Sequence, residues 1–293
     1  MSNGTIIVKR DGTKESLNID KIHKVVEHAC ENLAGVSSSL IEMNANIQFY
    51  DGMSTNEIQE VLVRSANDLI SLDNPNYQFA AARLLSYSVN KMVFGEYNAI
   101  TLKQNIDSNI ERKVYDPAIL DSYTADEIIT LDSYIRHKRD ENFTYAGLRQ
   151  VVEKYLCQDR STGEIFETPQ FMYMMIAATL FANYPKETRM HYVRRYYDAT
   201  SLFKINIPTP VMAGVRTPFR QFASCVLVDS DDTLDSIFAS DMAIGRYTAQ
   251  RAGIGINAGR IRGVNAKIRG GEVAHTGIVP FLKKFEKIGR AHV

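Results

Sequence analysis

The amino-acid sequence changes character at Ile205, and this change constrains the fold more than any other feature. Before this point, apolar residues recur mainly at helical spacing. After it, short apolar runs interrupted by glycine and proline alternate with helical segments. Such alternation is typical of an α/β domain, in which consecutive strands and helices pack as layers. We therefore expect a mainly helical region followed by an α/β region.

The N-terminal residues have the pattern of a hairpin that leads into a helix. Residues 5–10 read as a short strand, Asp11 and Gly12 as a tight turn, and residues 16–18 as the returning strand. Asp20 is predicted to cap the helix that follows, because an aspartate at this position accepts a hydrogen bond from the first helical turn.

Further helices are indicated by their end signals. Ser54 and Glu57 form a capping-box pattern, and Pro75 suits the first turn of a helix that stops at Gly95. Pro169 opens a methionine-rich helix. We predict that its methionine and tyrosine stripes lie in the core and not at a cofactor.

Composition excludes several classes of protein. The 293 residues carry no formal net charge at pH 7 and no long basic run, so we expect no nucleic-acid partner. The longest nearly apolar stretch, residues 171–182, is too short to span a bilayer, and no signal-peptide pattern is present. A cytoplasmic location without membrane contact is therefore predicted. The three widely spaced cysteines form neither a disulfide framework nor a metal site.

Lys9 and Arg10 lie at the end of the first predicted strand, immediately before the turn. They are either the solvated tip of a hairpin or a pair of phosphate ligands, since charge-assisted contacts to phosphate are strong. Composition alone favours the hairpin tip, and no glycine-rich P-loop is present.

Cys225 lies in an apolar, strand-like run at residues 223–228. Taken alone, it is predicted to be a buried structural residue, because free cysteine is among the most buried residue types. The glycine-rich run at residues 253–259 suggests a dinucleotide-binding loop, but such a loop follows a strand and opens a helix. Here residues 234–250, which precede the run, are predicted to be helical. We therefore reject a nicotinamide-dependent dehydrogenase.

Three N-terminal motifs, at residues 8–12, 18–22 and 51–55, resemble an ATP-cone, the regulatory nucleotide-binding domain of ribonucleotide reductases. The resemblance implies an activity site for ATP or dATP formed by Lys9, Arg10, Glu15, Ser16, Leu17, Asn18, Ile19, Asp20, Lys21, Thr55 and Lys91. Members related to the enterobacterial enzyme often have histidines where Gln59 and Ser88 stand here. The strength of dATP inhibition is therefore open.

The residues from 208 onwards are similar to the catalytic barrel of class I ribonucleotide reductase large subunits. The similarity is carried, in order and spacing, by residues 208–214, 216–218, 221–225, 234–237 and 250–262. It implies a mainly α ATP-cone followed by helices and the start of a ten-stranded α/β barrel, here truncated. It makes Cys225 one of two redox-active thiols, with Thr209, Ser224 and Gly253 at the substrate.

The same resemblance implies a second allosteric site, which selects the substrate. Asp232, the predicted N-cap of the helix at 233–250, would meet the effector's base and sugar together with Thr233 and Leu234, and Arg262 and Arg269 would meet its phosphates. Residues 260–271 carry four cations and would otherwise read as a mobile, solvated loop. In the family this site lies at the interface of a homodimer of large subunits.

The implied function is reduction of ribonucleoside diphosphates to deoxyribonucleoside diphosphates by thiol and thiyl-radical chemistry. The resemblance implies no cofactor bound by this subunit, ATP, dATP and other nucleoside triphosphates as effectors, a metal-containing small (beta) subunit that supplies the radical, and thioredoxin or glutaredoxin as reductant. The alternative is a stand-alone ATP-cone nucleotide sensor. Such a sensor would need a DNA-binding element such as a zinc ribbon, which the cysteine pattern excludes.

We expect an ATP-cone at residues 1–95, a helical region at 96–205 and the first part of the barrel at 206–287. The resemblance stops near Lys287. Residues 288–293 are those that a widely used sequencing adapter would encode, so we interpret them as an artefact. In the family the remaining catalytic residues lie beyond this point, and we expect the chain alone to be inactive as a reductase and prone to aggregate.

Overall fold

The structure is a computed structural model and describes residues 5–10, 12–95 and 98–290. The chain divides into two compact units, Met1–Lys204 and Ile205–Val293. Asp11 of the predicted turn and the last three residues of the predicted artefact lie outside the described residues. Within the described ranges, no helix is long and apolar enough to cross a bilayer.

The first unit begins with an antiparallel hairpin of strands β1 (Ile6–Val8) and β2 (Lys14–Ser16). Gly12 in the connecting turn has a φ of +81°, which glycine adopts without strain. The Val8 N–H donates to the Met53 carbonyl at 3.0 Å. The hairpin is therefore tied to the loop that precedes the third helix.

Four helices follow the hairpin. They are α1 (Ile19–Cys30), α2 (Ser38–Asn46), α3 (Thr55–Asn67) and α4 (Tyr77–Phe94). The Ser54 and Glu57 capping box is present at the start of α3, as predicted. The N-cap of α1 was predicted wrongly: it is Asn18, whose side chain accepts from the Lys21 N–H at 3.1 Å. Asp20 already lies inside the helix and cannot cap it, because an N-cap residue has a non-helical backbone.

Helix α4 ends at Gly95, as predicted, with a glycine φ of +70°. Its start differs from the prediction, because the helix begins at Tyr77 with Asn76 as its N-cap. Pro75 therefore precedes the helix and does not lie in its first turn.

The remainder of the first unit is mainly helical. It contains α5 (Leu102–Glu111), α6 (Ala118–Ser122), α7 (Ala125–Tyr134), a 3₁₀ helix (His137–Asn142), α8 (Tyr145–Gln150), a π-helical turn (Val151–Tyr155), a hairpin of β3 (Gln158–Asp159) and β4 (Glu164–Ile165), α9 (Pro169–Leu180) and α10 (Lys186–Ser201). Met172, Met174 and Met175 of α9 are buried, which confirms that the methionine stripe belongs to the core.

The second unit is α/β, as predicted. It contains α11 (Thr209–Gly214), β5 (Cys225–Asp229), α12 (Leu234–Ala249), β6 (Gly253–Asn257), β7 (Val264–Ile268), β8 (Val273–Thr276) and α13 (Val279–Arg290). Strands β5 and β6 pair in parallel, and α12 connects them. Ile237, Ile244, Ala258, Ile261 and Phe285 form the core. The described strands form no closed barrel, which is consistent with the start of one.

Two features of the second unit concern the glycine-rich and basic segments. Gly253 and Gly255 lie inside β6, and a Cβ on Gly255 would approach Leu227 Cδ2 to 2.8 Å. Gly255 therefore permits close packing on β5. Because Gly253 and Gly255 lie in a strand that follows α12, and do not open a helix, the rejection of a dinucleotide-binding loop is confirmed. The interpretation of residues 260–271 as a mobile loop is wrong in part, because β7 lies within them and pairs with β8.

Loss of the Ser54 cap is expected to lower the free energy of unfolding. In Ser54→Ala the Glu57 N–H loses its acceptor, and removal of a serine N-cap costs about 0.5–2 kcal/mol. Ser39→Ala is the matched control, because Ser39 is exposed on α2 and a change within about 0.5 kcal/mol is expected there. Urea unfolding followed by circular dichroism measures both. Equal stability of the two variants would contradict the prediction.

Candidate functional site

A cleft of about 820 Å³ opens in the first unit between the β1–β2 hairpin, α1, α3 and α4. Its cationic lining residues are Lys9, Arg10, Lys21, Lys24 and Lys91, and Glu15 is the carboxylate among them. Apolar side chains, including Ile22 and Leu62, line the rest. A cleft of this size with convergent cations and an apolar wall suits a phosphorylated ligand that has an apolar ring.

The position of each cation in its strand or helix explains why it lies at the cleft. Lys9 and Arg10 directly follow Val8, the last residue of β1, whose N–H bonds to the loop before α3. Lys21 and Lys24 are three residues apart on α1 and therefore share one face of the helix. Lys91 lies in the last turn of α4. The start of α3 also faces the cleft, and a helix N-terminus offers unpaired N–H groups to anions.

Glu15 partly neutralises these cations. Its carboxylate lies 2.6 Å from Lys9 Nζ and 3.6 Å from Lys21 Nζ. The hydrogen bond from Lys9 is the main cause that holds the pKa of Glu15 below its usual value. The carboxylate is therefore ionised at neutral pH and orients two lysines at the mouth of the cleft.

The remaining cations are close enough to repel one another. Burial, followed by the charges of Arg10, Lys21 and Lys9, lowers the pKa of Lys91. Arg10 is held by Asn56, whose Oδ1 accepts from the Arg10 Nε at 2.8 Å. The lining of the cleft thus carries more positive charge than Glu15 balances, which favours an anionic ligand.

Most residues predicted for the activity site line this cleft: Lys9, Arg10, Glu15, Leu17, Asn18, Lys21, Thr55 and Lys91. Ser16, Ile19 and Asp20 do not. Ser16 follows Glu15 on the opposite face of β2, because successive side chains of a strand alternate. Ile19 and Asp20 are exposed in the first turn of α1.

Sequence reasoning missed three polar residues of this region. Lys24 and Tyr87 line the cleft, and Asn56 holds Arg10. Two of them had a readable signal, because Lys24 lies one helical turn after Lys21 and Tyr87 one turn before Lys91. Asn56 had none, since its contact joins residues that are distant in sequence.

Gln59 and Ser88 both line the cleft. The Gln59 Nε2 donates to the Leu84 carbonyl at 2.8 Å, which fixes this side chain against α4. Neither residue carries a charge. The positive field of the cleft therefore comes from lysine and arginine alone among its described lining residues.

In the second unit, Cys225 is exposed at the first position of β5, whereas Cys157 is buried and Cys30 is half-buried. Burial raises the pKa of the Cys30 thiol to about 11. The expectation from residue type alone, a buried Cys225, is therefore wrong for this chain. No group of histidine, cysteine and carboxylate side chains within the described ranges could hold a metal ion.

Two predicted substrate-site residues border the Cys225 thiol. Gly253 lies opposite Cys225 in the parallel register, and its N–H donates to the Ser224 carbonyl at 2.7 Å. The Ser224 Oγ donates to the Cys225 Sγ at 3.7 Å. Thr209, the third predicted substrate-site residue, is the first residue of α11.

The predicted effector residues gather beyond the other ends of β5 and β6. Thr233, and not Asp232, caps α12, and its side chain accepts from the Ser236 N–H at 3.2 Å. The Asp232 carboxylate instead accepts from the Arg262 N–H at 2.8 Å and the Arg262 Nε at 2.6 Å. These contacts, the backbone one foremost, lower the pKa of Asp232. Asp232 does not cap α12 because its carboxylate, in the loop after β5, accepts hydrogen bonds from Arg262 in the loop after β6.

The other effector candidates differ in their surroundings. Leu234 is 64% exposed at the start of α12. Arg269 follows β7 with a φ of +52°, and the carbonyl of Lys267 lies 3.5 Å from the Arg262 Nη1. The end of β7 therefore reaches the Asp232–Arg262 pair.

Three family models match the chain in succession. They are the ATP cone domain at residues 5–92, the ribonucleotide reductase all-alpha domain at 141–220 and the ribonucleotide reductase barrel domain at 223–292. The chain therefore belongs to the ribonucleotide reductases.

Relatives narrow the family. The chain is 51% identical over 286 residues to the ribonucleoside-diphosphate reductase subunit alpha of Haemophilus influenzae, covering 98% of this chain and 38% of that protein. It is 50% identical, with the same coverage, to the ribonucleoside-diphosphate reductase 1 subunit alpha of Escherichia coli K12. It is 43% identical over 282 residues to the ribonucleoside-diphosphate reductase subunit alpha of phage T4, covering 96% of this chain and 37% of the phage protein. Within the reductases it belongs to the family of the large, or alpha, subunits. The chain spans 38% of the length of these two bacterial relatives.

Replacement of Lys91 is expected to stabilise the ligand-free fold. Because the pKa of Lys91 in the folded chain lies below 10.5, the folded chain binds this proton less strongly than the unfolded chain. The charge is therefore destabilising at neutral pH, and this effect vanishes above about pH 10.5, where the unfolded lysine is also neutral. Lys91→Met should raise the free energy of unfolding at pH 7 and weaken nucleotide binding.

Lys103→Met is the control for this variant. Lys103 pairs with Asp107 on α5, outside the cleft, and the loss of such a surface pair costs about 0–1 kcal/mol. Urea unfolding and nucleotide titration measure the two effects. A less stable Lys91→Met chain would show that the cationic repulsion in the cleft is not destabilising.

Proposed function

We propose that this chain contributes the regulatory domain, the helical region and the first barrel strands of a ribonucleoside-diphosphate reductase large subunit. In the proposed reaction, two thiols give up two electrons and become a disulfide, and the 2′ oxygen of the ribonucleoside diphosphate leaves as water. Cys225 supplies one of these thiols. The observation that carries the proposal is the exposed Cys225 thiol at the start of a parallel strand, in residues that match the barrel domain.

The neighbours of Cys225 have proposed roles at the substrate. Ser224 donates a hydrogen bond to the sulfur and is proposed to orient the Cys225 side chain. Gly253 leaves the sulfur accessible because it has no side chain on the adjoining strand. Thr209 is proposed to meet the substrate's phosphates. A metal-containing small subunit is proposed to supply a radical to the large subunit. The thiyl radical that forms there is proposed to start the reaction.

The cleft in the first unit is proposed to be the activity site for ATP or dATP. Lys9 and Lys91 meet the phosphates, and the apolar wall holds the base. The match to the ATP cone domain and the excess positive charge of the cleft support this assignment. The residues around Asp232 and Arg262 are proposed to bind a nucleoside triphosphate that selects the substrate, at the interface of a homodimer.

Further partners follow from the same proposal. They are ribonucleoside diphosphates as substrates, the small subunit, and thioredoxin or glutaredoxin as reductant, in the cytoplasm. A stand-alone nucleotide sensor finds no support in the second unit, whose residues match a reductase barrel domain.

A chimeric enzyme tests the role of Cys225. Residues 1–286 of this chain are joined to the remaining residues of the Haemophilus influenzae relative, with which they are 51% identical. With its small subunit, the chimera should reduce ribonucleoside diphosphates, and Cys225→Ser should abolish turnover because one electron-donating thiol is lost. Cys30→Ser is the control, since Cys30 lies on α1. Turnover that survives Cys225→Ser would overturn the assignment.

Introduction of histidines is expected to strengthen dATP binding. Gln59→His combined with Ser88→His adds two imidazoles to the cleft lining, and each can donate to or charge-pair with a phosphate. Calorimetric titration should show tighter binding at pH 6 than at pH 8 in this variant, because the imidazoles are protonated only at the lower pH. The unaltered chain and a Gln59→Asn, Ser88→Thr variant serve as controls. A variant without this pH dependence would contradict the expectation.

A further inference from the structure

Asp140 is a carboxylic acid in the interior of the first unit. It lies in the 3₁₀ helix at His137–Asn142, and 1% of its surface is exposed. Its Oδ1 accepts from the Gln170 Nε2 at 2.7 Å, and the Gln170 Oε1 accepts in turn from the Tyr197 hydroxyl at 2.6 Å. Among the residues that the structure describes, the Asp140 Oδ2 has no hydrogen-bond partner. An ionised carboxylate here would lose its hydration and gain one neutral donor, which is an unfavourable exchange.

The charged residues of the same helix do not compensate a carboxylate at Asp140. The Arg139 Nη1 pairs with the Asp198 carboxylate at 2.7 Å, and Lys138 is exposed. Burial raises the pKa of Asp140 to about 7; its one amide hydrogen bond opposes this shift, and the negative charge of Glu141 adds to it. The neutral acid is therefore the favoured form at this position.

Titratable groups also face this region from the neighbouring elements. Burial raises the pKa of Tyr173 on α9 and of Tyr197 on α10, so both phenols are neutral at pH 7. Burial also lowers the pKa of His137, and the Asp132 carboxylate on α7 opposes this only in part. Within the described ranges, none of these groups supplies a cation to Asp140.

The 3₁₀ helix is also where α4 meets α9. The His137 ring packs edge-on against Phe94, the last residue of α4, with 5.4 Å between the ring centroids, and against Phe171 of α9 at 5.1 Å. Phe94 and Phe171 contact each other edge-on at 6.1 Å. Movement of the 3₁₀ helix would therefore open contacts between the end of α4 and α9.

We infer that Asp140 is a proton-controlled switch, whose neutral form holds the 3₁₀ helix against α9 and whose ionised form loosens the contacts of that helix with α4 and α9. The proton passes to solvent. The carboxylate that remains is stabilised only where water reaches it, so its formation favours displacement of the helix from the interior.

The direction of the pH effect follows from the two states of the chain. The pKa of Asp140 is about 7 in the folded chain and 3.8 without burial, so the folded chain binds this proton more strongly than the unfolded chain. The stability that the neutral acid contributes is therefore fully present below pH 3.8 and is lost as the pH rises through about 7.

Asp140→Asn tests the switch, because asparagine has the same shape, keeps the acceptor for Gln170 and cannot ionise. Urea unfolding of the 293-residue chain is followed from pH 5 to pH 8. Relative to Asp140→Asn, the unfolding equilibrium constant of the parent should rise by about tenfold per pH unit between pH 5 and pH 6 and level off towards pH 8, since unfolding releases one proton.

Asp121→Asn is the matched control, because Asp121 is exposed on α6. This variant should follow the pH profile of the parent. Parallel profiles for the parent and Asp140→Asn would contradict the inference, and so would a control that departs from the parent to the same degree as Asp140→Asn.

Hydrogen exchange in the parent chain separates a local switch from a general loss of stability, and it decides the question if Asp140→Asn does not fold. Exchange is measured by mass spectrometry at pH 6 and pH 8 and corrected for the intrinsic pH dependence of amide exchange. Residues 137–143 should lose protection at pH 8, whereas α2 (Ser38–Asn46) should keep it. Equal loss in both segments, or unchanged protection of residues 137–143, would overturn the inference.

Discussion

The parallel pairing of β5 with β6 is the interaction on which the second unit depends. Its register places Cys225 opposite Gly253 at one end and Asp229 opposite Asn257 at the other. Four steps of about 3.3 Å separate these ends by about 13 Å. The proposed thiol chemistry therefore lies at the start of the strands, and the Asp232–Arg262 pair lies just beyond their ends. A single strand–helix–strand unit joins the two proposed sites, which gives a short physical route between effector and thiol.

Charge organises the first unit in a comparable way. The hydrogen bond from Val8 to Met53 fixes the hairpin against the start of α3, and this brings Lys9 and Arg10 towards Lys91 at the end of α4. The cations would repel one another in the ligand-free fold, and Glu15 relieves only part of that repulsion. An anionic ligand completes the neutralisation. The cleft is thus a region where stability is lower so that affinity for an anion can be higher.

Local signals predicted much of the fold. The Ser54 capping box, the end of α4 at Gly95 and the buried methionines of α9 each depend on residues within one or two helical turns. The predictions that Asp20 caps α1 and Asp232 caps α12 were both wrong. Several acceptors compete near each helix start, and the backbone path and distant partners decide which one caps the helix.

The sequence by itself determined the classes of element, the boundary near Ile205 and the motifs that resemble a reductase, because periodicity, turn residues and motif spacing are properties of the chain. Only the tertiary structure decided that Cys225 is exposed, that Asn56 holds Arg10 at the cleft and that Asp232 binds Arg262. Burial and charge pairing depend on distances between residues that lie tens of positions apart, and those distances are set only when helices and strands pack.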